Sequence, residues 1–212
     1  MKITKIGHAC LFVEIETLSI LIDPGAYSVV PSLPKLDIIL VTHEHPDHFD
    51  PPALKKILAK HDNCEILTHR GMRKVLSEMN IPSTLIEEGE VCVRKRVSIE
   101  RIGSAHACIH KDLPAIENCG FYINEEFFYP GDSFVLPGKT VKILALPVAA
   151  PWMRLEECID YAKSVKPEAV FPVHDGMLRL DRMTPTRRIP AMLLEKEGIR
   201  YIDMQDGWTN DF

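Results

Sequence analysis

The run His43-Glu44-His45-Pro46-Asp47-His48 packs four metal-ligating side chains of two types into six positions. His43 and His45 are two residues apart, so in extended backbone both imidazoles project to the same side and can reach one cation. Asp47 and His48 lie beyond Pro46, whose fixed φ helps turn the chain and can aim this second pair at a neighbouring point. Histidine and carboxylate are the usual ligands of zinc, manganese and iron, so one loop offers donors to two divalent cations. Desolvating three imidazoles and an acid together is costly unless something pairs them, which argues for metal rather than for a chance cluster.

Two complete sites need further ligands. Loops that follow strands are where functional side chains concentrate. Three residues fit that description: His106 after the strand expected at 96–102, Asp132 after 127–129, and His174 after 168–172. Asp23, which ends an early strand in Asp23-Pro24-Gly25, either accepts a hydrogen bond from a ligand histidine and fixes its tautomer or simply terminates the strand. His8 is either an outer donor near the site or an ordinary turn histidine. Cys108 and His110 share the parity of His106, so either can face the pocket, although a core or surface place is the more ordinary reading. Trp152 is either a pocket wall or core, and its loop position favours the wall. His61 and His69, at a helix end and a helix start, are expected to face solvent.

The elements that must position these residues read as follows. Residues 2–22 alternate in the β manner, with a turn at 17–19. Asp37-Ile38-Ile39-Leu40-Val41 is a short apolar run, the mark of a strand buried on both faces. Asp50-Pro51-Pro52 opens a helix through Leu54, Ile57 and Leu58. Strands follow near 65–68, 83–86, 91–94, 96–102, 119–124, 127–129, 141–146, 168–172 and 200–203. Helices fit 70–79, 154–165 and 186–197. Strand runs with interspersed helices suit two sheets packed face to face with helices outside, in one domain spanning 1–212.

Composition narrows the function classes. The 212 residues are 46% hydrophobic and 26% charged, with net charge −5. That is an ordinary globular balance, without the basic excess expected of a nucleic-acid partner. The short clusters Arg94-Lys95-Arg96 and Arg187-Arg188 read as solvated strand-edge or helix-face charges. No apolar stretch is long enough to span a bilayer, so no membrane partner is expected. No secretory h-region follows Met1, and the six cysteines are scattered without a Cys-x-x-Cys pair. They read as reduced thiols in a cytoplasmic protein.

The order His43-x-His45-x-Asp47-His48, then His106, then Gly131-Asp132-Ser133, then His174 resembles the metallo-β-lactamase superfamily. Ile6-Gly7-His8-Ala9-Cys10, Ile20-Leu21-Ile22-Asp23-Pro24 and Pro172-Val173-His174-Asp175-Gly176 are similar to its ascorbate-phosphate-lactonase-like branch of small metal-dependent hydrolases. The resemblance implies a four-layer αββα sandwich. It also implies that His43, His45 and His106 hold one metal, that Asp47, His48 and His174 hold a second, and that Asp132 bridges them. A carboxylate can span two cations about 3.5–4 Å apart. The chain departs from that branch at Ala149-Ala150-Pro151-Trp152-Met153, where relatives often carry Gly-Gly and a Thr before the Met.

The expected function is hydrolysis of an ester, lactone or phosphoester bond of a small molecule. Two divalent cations, zinc foremost with manganese or iron also fitting, would activate water, and Asp47 and Asp132 would be the catalytic carboxylates. A homo-oligomer is compatible with this. The alternatives are an iron-dependent oxidoreductase or dioxygenase on the same fold, a nuclease-type phosphodiesterase, and a non-catalytic binding module, against which the full ligand set argues. His45 argues against the flavodiiron type, which carries Glu there, and the absence of a basic arm argues against the nuclease.

Overall fold

The N-terminal alternation resolves into three antiparallel strands, β1 (Lys2–Gly7), β2 (Cys10–Ile15) and β3 (Leu18–Ile22). The structure is a computed structural model and describes residues 1–179 and 184–212. The turn between β2 and β3 is shorter than the expected 17–19. Leu18 already pairs with Ile15, and Glu16 takes the left-handed conformation with φ 51°. β3 continues in parallel into β4 (Ile38–Val41), β5 (Glu65–Thr68) and β6 (Thr84–Leu85). On the other side β1 pairs antiparallel with β14 (Thr209–Asp211), a strand the sequence pattern does not announce because Thr-Asn-Asp has no apolar alternation.

The second sheet holds β7 (Val91–Arg94), β8 (Val97–Ile102), β9 (Gly120–Ile123), β10 (Phe127–Tyr129), β11 (Ile143–Pro147), β12 (Ala169–Val173) and β13 (Arg200–Tyr201). β7 to β10 are antiparallel to one another, and β10 to β13 are parallel. The strand expected at 200–203 is confined to two residues.

Among the described residues, four helices cover the outer faces. α1 (Pro51–Leu58) starts where Asp50 accepts a hydrogen bond from the Ala53 amide at 3.2 Å, with prolines in its first turn. Its Leu54 and Ile57, with Met72 and Leu76 of α2 (Arg70–Glu78), pack on Phe12, Leu21 and Ile39 of the first sheet. α3 (Leu155–Val165) and α4 (Thr184–Glu195) place Cys158, Ile159, Ala162 and Leu194 against Phe128, Leu144 and Val170 of the second. Between the sheets lie Leu11, Val13, Ile20, Leu40, Phe121, Phe127 and Phe171. The result is the four-layer αββα sandwich. Both faces of β3, β4, β11 and β12 are covered, which is why these strands read as apolar runs rather than alternations. Phe127 and Phe171 stack at 6.0 Å between centroids, and truncating either to Ala would cost about 3–5 kcal/mol.

Candidate metal centre

Every sequence-expected site residue leaves the fold just past the end of a strand. His8 follows β1, Asp23 follows β3, and His43 to His48 follow β4. His106 comes after β8, Asp132 after β10 and His174 after β12. The parallel strands thus deliver several short loops to one edge of the sandwich, the usual place for ligand chemistry in such sheets. Three of these residues sit at positive φ: His8 at 41°, Asp23 at 46° and His174 at 61°. Asp and His tolerate this region better than most residues, and conformations of this kind concentrate at functional sites. The approach of the loops is close enough to dictate Gly25, where a Cβ would stand 1.9 Å from the carbonyl oxygen of Asp47.

The seven expected ligands converge, in two groups. His43, His45, His106 and Asp132 bring one ligand atom each within 4.8 Å of one another; so do Asp47, His48, His174 and His8. Asp132 stands between them. Its Oδ1 is 3.0 Å from His48 Nε2, and its Oδ2 is 3.1 Å from His174 Nε2 and 3.4 Å from His106 Nε2. Its backbone is clamped from both sides, its N–H donating to Asn118 Oδ1 at 3.0 Å and its carbonyl accepting from the Ala107 amide at 2.8 Å.

Tautomers separate ligand candidates from supporting residues. The Nδ1–H of His106 donates to the Ala107 carbonyl at 2.5 Å, that of His174 to the Ala149 carbonyl at 2.6 Å, and that of His48 to Asp23 Oδ2 at 2.7 Å. Thr42 Oγ1 gives its proton to Asp23 at 2.7 Å, so it accepts from His43 Nδ1 at 3.0 Å. Each outer bond leaves Nε2 pointing inward, the orientation of metal-ligating imidazoles. His45 joins through Nδ1, which faces His43 Nε2 at 3.2 Å. His8 is the reverse case. Its Nδ1 accepts from the Gly176 amide at 2.9 Å, so the proton is on Nε2, which donates to Asp47 Oδ2 at 3.1 Å. His8 therefore orients Asp47.

The donor set fits cations. The Nε2 atoms of His48, His106 and His174 and the Oδ1 of Asp132 are buried and face one another across Asp132, but none makes a hydrogen bond of good angle. Such atoms cost free energy unless something pairs them. Burial and the neighbouring imidazoles hold His43 well below the ordinary histidine pKa, so it is a neutral donor. Burial would also lower His48 and His174, yet Asp132, with Asp23 beside one and Asp47 beside the other, drives both upward, His174 to about 9. Asp47 and Asp132 lie below the usual carboxylate range despite burial, held there by the same histidines. The carboxylates thus draw positive charge into the space between the imidazoles.

Asp23 is the hub behind the site. Besides His48 and the Thr42 hydroxyl it accepts from the Thr42 amide at 2.8 Å and the Tyr129 hydroxyl at 2.9 Å. His174 is backed differently. Its neighbour Asp175, fully buried, takes Lys5 Nζ at 2.7 and 2.8 Å and Arg187 Nη2 at 2.5 Å; Arg187 also reaches Asp203 at 2.5 Å. Arg187 is therefore a buried tie between α4 and the site, not the solvated charge its sequence context suggests. His69 also departs from expectation. It is 2% exposed, because Glu117 takes its Nδ1 at 2.5 Å. His61 is half-buried, and Cys108 and His110 are on the surface, lining a cavity beside His106. The indole Nε1 of Trp152 reaches Asp132 Oδ2 at 2.9 Å, a contact that no local pattern signals.

A family model described as "Beta-lactamase superfamily domain" matches residues 2–174, which contain every one of these ligand candidates. The chain belongs to the metallo-β-lactamase superfamily. The match establishes the superfamily and not the narrower lactonase-like branch. Protein Rv0786c of Mycobacterium tuberculosis is 32% identical over 85% of this chain and 87% of its own length. A UPF0173 metal-dependent hydrolase of Archaeoglobus fulgidus is 24% identical over 100% of this chain and 99% of its own. Igni18, a metallo hydrolase of Ignicoccus hospitalis, superposes with a TM-score of 0.76 at 18% identity, over 100% of this chain and 98% of that one. At that identity the superfamily likeness of the solved structure is one of fold. Among the described residues no helix is long and apolar enough to cross a membrane.

Proposed function

We propose that this chain is a metal-dependent hydrolase that cleaves an ester, lactone or phosphoester bond of a small molecule at a dinuclear centre. The observation that carries the reading is the convergence of three buried Nε2 atoms on the Asp132 carboxylate, each backed by an outward Nδ1–H bond. His43, His45 and His106 would hold one divalent cation and Asp47, His48 and His174 the other, with Asp132 between them. Zinc suits this mixed imidazole and carboxylate set best, with manganese and iron next. The relative named as a metal-dependent hydrolase, matched along its whole length, supports the activity.

Bound cations would supply the Lewis acidity that makes water a nucleophile near neutral pH and polarises the attacked oxygen. The residues do the rest. Asp47, fixed through Oδ2 by His8, holds the attacking water by hydrogen bond; its low pKa suits it to orientation rather than to keeping a proton. The water oxygen bonds to the acyl carbon or phosphorus, the ester bond to oxygen breaks, and the departing oxygen takes up the proton.

Two measurements test this. Protein purified without added metal should contain close to two ions per chain. A panel of lactones, phosphodiesters and simple esters should show turnover that Asp132→Ala abolishes. A metal content near zero, or inertness of every class with cations fully loaded, would refute the proposal.

A further inference from the structure

A cavity of about 390 Å³ opens directly on His45 and His106, two members of the first ligand group. That volume lies within the range of sites for small organic molecules. Its wall is the loop between β8 and β9, which contributes Ile109, Leu113, Pro114 and Ile116. Cys108, His110 and Lys111 are its other polar side chains, all exposed, and no carboxylate lines it. Leu113 is 55% exposed and Ile109 39%, so the loop holds large apolar groups in water beside polar ligands. Apolar surface kept exposed at the mouth of a site marks a surface meant to be covered.

The wall is fixed relative to the chemistry. The His106 amide donates to the Ile116 carbonyl at 3.2 Å and closes the neck of the loop, and the Leu113 amide donates to the His110 carbonyl at 3.0 Å within it. The Ala107 amide donates to the Asp132 carbonyl at 2.8 Å and ties the loop to the residue between the two groups. Another cavity, about 340 Å³ between residues 28–33 and α1, is lined by none of the ligand candidates.

We infer that this cavity takes an apolar acyl group, and that the substrate is a carboxylic ester or lactone bearing an aliphatic chain. The inference rests on the hydrolase reading for the bond that is cut, but the chain-binding site is testable without turnover. Each buried methylene strengthens binding about fourfold. Hexanoate and acetate carry the same carboxylate, so their difference isolates the chain.

Isothermal titration of zinc-loaded protein should give hexanoate at least tenfold tighter binding than acetate. Leu113→Asp and Ile109→Asp, both at exposed positions, should bring the ratio close to one while zinc content stays the same. Equal binding of the two acids by the native chain would overturn the inference, and so would a ratio that survives both substitutions. Preferred binding of hexanoate without turnover of any lactone, phosphodiester or simple ester would leave the cavity assignment standing and refute the hydrolase reading alone.

Discussion

Trp152 Nε1 donates a hydrogen bond to Asp132 Oδ2 across 2.9 Å, with the indole edge resting on Phe134 at 5.0 Å between centroids. The same oxygen faces His106 and His174, so an aromatic side chain holds the carboxylate that separates the two ligand groups. Trp152→Phe keeps the ring packing and removes the donor. Outer partners of metal ligands typically contribute 10–100-fold to affinity or activity. Zinc affinity, measured by chelator competition, should fall by about tenfold or more. The chain has two tryptophans, so in Trp208→Phe the remaining indole emission should change on zinc addition.

Asp23 accepts four hydrogen bonds while fully buried. Asn in its place presents an NH₂ to groups that also donate. Removing one partner of a buried charged network costs about 3–5 kcal/mol. Asp23→Asn should lose about that much in urea unfolding and should retain fewer ions per chain, because His48 loses its fixed tautomer.

His8 and His106 lie side by side with the ligand groups but have opposite tautomers. His106→Ala should lower metal content. His8→Gln, which keeps a donor near Asp47, should retain close to two ions per chain and lose about tenfold in turnover, as for an outer-shell partner. Loss of an ion in His8→Gln would make His8 a ligand and refute this assignment.

Burial opposes the charged form of His174, but Asp132 and Asp47 raise its pKa from 6.5 to about 9. The folded state therefore binds the proton more tightly than the unfolded chain. The stability this gives is fully present below about 6.5 and is lost as pH rises through about 9. Metal-free protein should show a melting temperature that falls across that window. Cations compete for the same Nε2, so zinc should bind more tightly as pH rises there and release protons as it binds. A pH-independent zinc affinity would contradict the arrangement.

Gly25 admits no Cβ, since Asp47 O would be 1.9 Å from it. Gly25→Ala must push apart the loops that carry Asp23 and Asp47. It should yield protein that is largely insoluble, or soluble with fewer than two ions per chain, and metal analysis of the soluble fraction checks this.

How much of this was legible in the sequence depended on how local each signal is. The run 43–48 is a contiguous pattern, and His106, Asp132 and His174 each follow an apolar strand, so type and position could be read together. The sandwich was legible because strands covered on both faces lose their alternation, as at Ile38–Val41 and Ala169–Val173. What stayed hidden are pairings across long separations between residues with no pattern of their own. Glu117 buries His69, Asp175 buries Arg187, and β1 recruits the polar Thr209–Asp211. Charge clusters and turn histidines look solvated until their partners are placed, and nothing near Trp152 points to Asp132.

The clasp of Lys5, Asp175 and Arg187 joins the first strand to the last helix behind His174. A polypeptide emerges from the ribosome N-terminus first. By Asp132 all four members of the first ligand group have been made, whereas the second still lacks His174 and the arginine that anchors its neighbour. The two candidate ligand groups are thus completed at different moments of translation, and a chain halted midway carries one of them whole and the other unfinished.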